Sequence, residues 1–417
     1  MYRTHARNHR LFLRIASSRA VALVVCALLA TGVQAQGFRR GVQDALGPLY
    51  RDNPYAQRAD RRPSSHDTSP RGMVRHWNKV AIDASGLDHT PVADGETRVF
   101  GEQLGPARAS RAMAIVHIAI FDAVNAISGR YQSYTGLPVA PRSTSMEAAI
   151  AQAAHDSLSA LFPSQKAAFD AQLAQDLDAI NERHPKDLGI DLGQRAAAAI
   201  LSLRADDGSA HAEPRVGIEF LTSDQPGKWR QDPVSLIPLA LGAYWNEVTP
   251  FVMTSSAQFR APPPPALDSA DYAHAFAEAK VLGGDGIVTP NGRTAEQTAI
   301  GIFWAYDGTP SLCAPPRLYN QIAMQIADQM DSDVVELTRL LALVNTAMAE
   351  AGIAVWESKY YYELWRPVAG IREADVDPAH SLPGDGNSAT VADPTFTPLG
   401  APASNLTGPN FTPPFPA

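Results

Sequence analysis

An all-α protein of two packed four-helix-bundle-like halves is what this sequence predicts, on three observations. Apolar residues recur at three- and four-residue spacings along most of the chain between 105 and 366. Those stretches are joined by short links and open on Ser or Thr, with prolines between them, which marks helix starts and stops. Runs of alternating β-branched and aromatic residues are scarce, so strands contribute little. The 417 residues are ample for a large core.

The N-terminus reads as an export signal. Arg3, Arg7, Arg10, Arg14 and Arg19 form a basic region, Ala20 to Ala30 an apolar core, and Val33-Gln34-Ala35 a small-residue cleavage site. The apolar run is too short to span a bilayer, and no later run reads as a span; an uncleaved anchor is the alternative. Cleavage after Ala35 predicts a periplasmic or secreted protein. It also removes five arginines and no acid, taking the net charge from -8 to about -13, so the mature surface is acidic and nucleic acid is excluded as a partner. Cys26 lies in the signal, leaving Cys313 with no partner for a disulfide and the character of a small hydrophobe. Residues 36–75, rich in Arg, Asp, Ser and Pro, read as a flexible leader, with order expected from His76-Trp77-Asn78.

A first helical bundle is expected over 76–205. Its clearest helix, Gly105 to Ile127, is apolar on nearly every face and must be buried. His117, Asp122 and Asn125 interrupt it, and a histidine there is ordinarily a satisfied core group. Helices from Thr144 to Leu161, Ser164 to Arg183 and Leu188 to Leu203 follow, with Pro163 and Pro185 as punctuation. A loop-like segment, 206–268, carries Lys228-Trp229-Arg230, Tyr244-Trp245 and the proline run Pro262 to Pro265. The second bundle, 269–417, opens with a helix from Ser269 to Leu282. Thr294 and Gln297 make a capping box for the next, which runs through Trp304 and Tyr306. Arg317 to Met330 and a long helix from Ser332 to Arg366 complete it, with Gly352 as a candidate bend.

Lys359-Tyr360-Tyr361-Tyr362-Glu363-Leu364-Trp365-Arg366-Pro367 is the chemically informative stretch. On a continuous helix Lys359 and Arg366 are two turns apart and share a stripe, which Pro367 would end. That stripe continues the row Leu337, Leu341, Val344, Met348, Ala351, Val355 and Tyr362, expected to face the core. Buried cations require an anion, so an oxyanion cradle is one reading. A surface cluster neutralised by Glu363 is the other.

Lys, six residues, then Arg-Pro resembles the first signature of the vanadium-dependent haloperoxidases and the type 2 phosphatidic acid phosphatase superfamily that contains them. The 105–127 helix, the Trp304 region, the Trp245 to Pro250 stretch followed by Phe251, and Val368 to Arg372 resemble the bacterial secreted group. The resemblance implies paired bundles with vanadate, or phosphate, held on its equatorial oxygens by Lys359 and Arg366. It implies hydrogen peroxide, halide and a small organic compound as substrates. The family's catalytic and apical histidines belong to two further signatures, Pro-Ser-Gly-His and Ser-Arg, five residues, His, and neither occurs in these 417 residues. Asn410 to Ala417 resembles the run leading into the first of them, so the second bundle is expected to be incomplete and the site to lack its histidines. His380, the remaining downstream histidine, is not preceded by Pro-Ser-Gly.

Three functions stay open: a haloperoxidase-like oxidoreductase, an exported acid phosphatase of the same superfamily, and an inactive helical protein. Homo-oligomerisation is open too. There is no His-Glu-x-x-His, no paired zinc cysteines, no phosphate-binding loop and no Gly-x-Ser-x-Gly elbow.

Overall fold

The computed structural model describes residues 67–234, 236–304, 316–379 and 382–399. The signal stretch, most of the leader, Tyr306, Cys313, His380 and residues 400–417 lie outside that description.

Helix α1 (Pro70–Asp88) begins inside the stretch read as a leader. Ser69 caps it by accepting the Gly72 N–H, and Met73, Val74, Trp77 and Ala81 bury one face. The stripe was masked in the sequence by Arg71 and Arg75, and Arg71 pairs with Asp328 at 3.1 Å. Helix α2 (Pro106–Ser128) is buried all round, as its composition requires, and ends on Gly129 in the left-handed conformation. Helix α3 (Met146–Leu161) is capped by Ser145. The next predicted helix is shorter and starts as a 3₁₀ turn, then runs as α4 (Lys166–Asp178). Helix α5 (Arg183–Leu203) takes Pro185 into its first turn, where the missing N–H costs nothing. Gly193 lets α5 approach α3 closely: a Cβ there would stand 2.6 Å from that of Gln152.

Helix α6 (Ala270–Gly283) is capped by Ser269, and α7 (Ala295–Trp304) by the expected Thr294–Gln297 exchange. Helix α8 (Pro316–Gln329) precedes α9 (Val334–Tyr362), whose capping box is Asp333 with Glu336 rather than a Ser332 cap. Helix α9 runs on through Gly352. A short α10 (Pro367–Arg372) and a two-residue antiparallel pair, Val376–Asp377 with Leu382–Pro383, follow.

The main core is built by α1, α2, α3 and α5 together with Ala323 and Ala327 of α8 and Leu337, Leu341 and Ala349 of α9. A smaller cluster joins Phe276, Val368, Ile371, Ala374 and Phe396. The row expected to face the core holds only at its start. Leu337 and Leu341 are buried, but Val355 is exposed, and further along the buried positions are Asn345, Ala349, Ile353 and Glu357 with their neighbours. The second half of α9 covers loop segments as well as the start of α2, where Ile353 meets Ala107, so its inner face also carries polar groups that satisfy loop backbone. Helices α2 and α9 are both apolar enough over eighteen residues to span a bilayer; 94% of that window is buried in α2 and 50% in α9.

Candidate functional site

The long helix stops before Arg366. Glu363 takes the left-handed conformation (φ 50°), its N–H bonding back to the Lys359 carbonyl, and α9 ends at Tyr362. Arg366 is extended (φ -69°, ψ 150°) and is the N-cap of α10, with Pro367 at its first position. This corrects the single-stripe reading. A residue before proline is pushed out of the helical region, and proline pre-organises a helix start as readily as it ends one.

The two cations are brought together all the same, by a turn between helices. Lys359, half-buried in the last turn of α9, has its ammonium over the rings of Trp356 (5.6 Å) and Tyr360 (5.0 Å). No carboxylate lies within ion-pairing distance of it among the described residues. Burial, and then the charge of Arg366, lower its pKa to about 8. Glu363, the local neutraliser of the alternative reading, pairs instead with Lys228 at 3.0 Å.

Loop residues that sequence reasoning left unassigned build the walls. Trp356 Nε1 (3.0 Å) and the Tyr360 hydroxyl (2.9 Å) both donate to the Leu241 carbonyl. The next residue, Gly242, has φ 73°, and a Cβ there would lie 2.0 Å from Trp356 Cδ1, so only glycine fits. Its N–H donates to Glu213, which Arg108 holds at 3.0 Å. Tyr360 packs with Phe220 and Trp229. The Trp229 N–H donates to the Glu363 carbonyl and the Trp365 N–H to that of Gly227, tying 227–229 to 363–365. Trp365 is buried, donates to the Tyr272 hydroxyl at 3.2 Å and lies under Arg230, itself paired with Glu373 at 2.7 Å. The basic and aromatic triplet Lys228-Trp229-Arg230 was the available signal for this wall.

Arg366 reaches a cavity of about 490 Å³ that Asp232, Arg293, Leu282, Val368, Ile371 and Phe396 help to line. The site thus has a cationic edge and an apolar chamber. Two like charges side by side, one half-buried without an acid, are costly unless an anion lies between them, so these residues fit a tetrahedral oxyanion such as vanadate or phosphate. Among the described residues no group of three or more His, Cys, Asp or Glu could hold a bare metal ion.

His117 is far more isolated than expected. It is fully buried on α2 with neither ring nitrogen hydrogen-bonded, and burial lowers its pKa to about 3, so it is a neutral packing group without the hydrogen bond anticipated for it. Asp122 does bond, accepting from the Tyr134 and Thr135 amides at 2.8 Å each.

The family model described as the VCPO second helical-bundle domain matches residues 339–417, which include Lys359 and Arg366. The vanadium chloroperoxidase of Curvularia inaequalis is 29% identical over 85% of this chain, and the chain spans 63% of that protein's length. Among solved structures, that of a bacterial vanadium-dependent iodoperoxidase superposes with TM-score 0.58 at 22% identity, covering 71% of each chain, a likeness of fold. A bacterial vanadium-dependent chloroperoxidase matches with TM-score 0.48 at 16% identity over 69% of this chain and 67% of its own. The likenesses of sequence and of domain support the superfamily of the vanadium-dependent haloperoxidases, and the likeness of fold agrees with them.

Proposed function

We propose that Lys359 and Arg366 form the cationic part of a haloperoxidase-type site that binds vanadate, with hydrogen peroxide and halide as the reactants. The observation that carries this is the half-buried Lys359 ammonium, set beside Arg366 and without an acidic partner. The Arg366 guanidinium offers a planar fork to an oxyanion, and Lys359 a point charge with donors that can rotate to meet it. The Trp356 and Tyr360 rings fix the lysine stem and exclude water from one side of it. Bound vanadate supplies activation of peroxide toward halide, and fixed cations beside it stabilise the charge that develops. The cavity next to Arg366 takes an apolar organic acceptor. The family's other two signatures, which carry its histidines, do not occur in these 417 residues. Export directed by residues 1–35 belongs to the same proposal, and N-terminal sequencing of the protein from a periplasmic fraction should read from Gln36.

The test uses the 417-residue chain. Vanadium NMR should show a bound resonance that phosphate displaces and that Lys359→Ala removes. Phosphate-ester hydrolysis in the absence of vanadate binding would replace this reading with the phosphatase one.

A further inference from the structure

Within the first bundle, α4 is the helix with the least apolar anchorage. Its buried residues are Phe169 and Asp176, with Leu173 packed half-buried against the core, whereas α3 and α5 each bury a full face. So small an apolar contact leaves much of the docking to polar groups. Two histidines from other helices meet the two aspartates that α4 turns toward the bundle. His155 of α3 stands between carboxylates, its Nδ1 2.7 Å from Asp156 Oδ1 on its own helix and its Nε2 2.8 Å from Asp170 Oδ1 on α4. His76 of α1 lies 3.8 Å from Asp176 Oδ2, which also accepts the Trp77 indole N–H at 2.9 Å.

The geometry at His155 selects a protonation state. A neutral imidazole has one N–H, so it satisfies one carboxylate and turns a lone pair toward the other; the imidazolium satisfies both. The ring is 7% exposed, and the Ser159 hydroxyl, 3.5 Å from Nε2, is too distant to take the place of either partner. The charges acting on the ring are Asp156 and Asp170. Lys166 reaches it only through Asp170, which it holds at 2.6 Å from within α4, and Lys186 of α5 meets α4 elsewhere, at the Leu177 carbonyl. We propose that His155 is a proton-operated latch: protonated, it clamps α4 to α3 through Asp170, and its deprotonation lets α4 open while the rest of the bundle stays folded. Burial lowers the pKa of His155, and the hydrogen bonds and charges of Asp156 and Asp170 more than offset this, so it stands above the ordinary 6.5. The clamp is therefore complete below 6.5 and is lost as pH rises through the higher value of the folded protein. Opening uncovers Phe169 and parts Trp77 from Asp176.

The test follows the full chain by hydrogen exchange with mass detection, corrected for the intrinsic rate at each pH, and the His155 ring by NMR of histidine-labelled protein. Protection of 166–178 is expected to fall about tenfold as pH rises from below 6.5 to about 9, while that of α2 is unchanged. The ring resonance that His155→Gln removes should titrate above 6.5. His155→Gln should leave 166–178 weakly protected at every pH. Asp170→Asn changes a half-exposed side chain and spares the core, so it should lower protection at acidic pH and move the step downward. His76→Gln should leave the step in place. A His155 transition at or below 6.5, or protection of 166–178 that is flat with pH, would overturn the latch. So would a step that Asp170→Asn leaves unchanged, one that follows His76 rather than His155, or loss of α2 protection together with that of α4.

Discussion

Lys359 carries two pH effects of opposite sign. Its pKa is held at about 8, below the ordinary 10.5, by burial and Arg366. Between those values the unfolded chain binds the proton and the folded chain does not, so stability of the vanadate-free protein rises with pH across that window. On the proposed function, oxyanion affinity should do the reverse and fall as pH rises through about 8. Denaturant titrations should show the stability slope in wild type and its loss in Lys359→Met; vanadate titrations should show the opposite trend. His117 gives a second residue-scale prediction. Its folded pKa of about 3 lies below the ordinary 6.5, so its contribution is present above 6.5 and is lost as pH falls toward 3. His117→Leu should therefore flatten acid unfolding over that range. By removing unpaired polar atoms from the core it should also raise stability by about 2 kcal/mol at neutral pH, read by urea denaturation.

At the scale of elements, the site depends on where α9 starts and stops and on the loop that meets its end. The Asp333–Glu336 capping box fixes the start, and Asp333→Ala should cost about 1 kcal/mol in urea denaturation, with a small added loss from the Arg130 pair. Gly242 is the contact between loop and helix. Gly242→Ala forces a methyl into Trp356 at a positive φ, so the indole and the lysine beside it must shift. Vanadate affinity should fall severalfold in a protein whose far-ultraviolet circular dichroism is unchanged; wild-type affinity would mean that the loop does not position Lys359.

Over the whole molecule, what could be read from the sequence was what repeats. The helical periodicity of 105–127 and the cap at Ser269 locate real helices because both signals are local. The start of α1 was hidden because arginines on one face are paired by distant aspartates such as Asp328. Arg366, expected on the stripe of α9, stands instead at the N-cap of α10. The turn at Glu363 is held by Lys228, Trp229 and Gly227, more than a hundred residues earlier, and spacing near Pro367 does not encode those partners. The inner face of α9 was misassigned for a related reason. Glu350 and Glu357 look like surface residues until the segment 250–261, which they hold, is folded against them. Lys359 and Arg366 lie near one another all the same, because the turn brings them together.

The most direct test of that pair is calorimetric titration of the full chain with orthovanadate at neutral pH, comparing wild type with Lys359→Met and Arg366→Met. Each charge-assisted contact removed should weaken binding by about tenfold or more, while the melting transition of the vanadate-free variants stays close to that of wild type. Equal vanadate affinity in all three proteins would contradict the assignment of Lys359 and Arg366 as oxyanion donors.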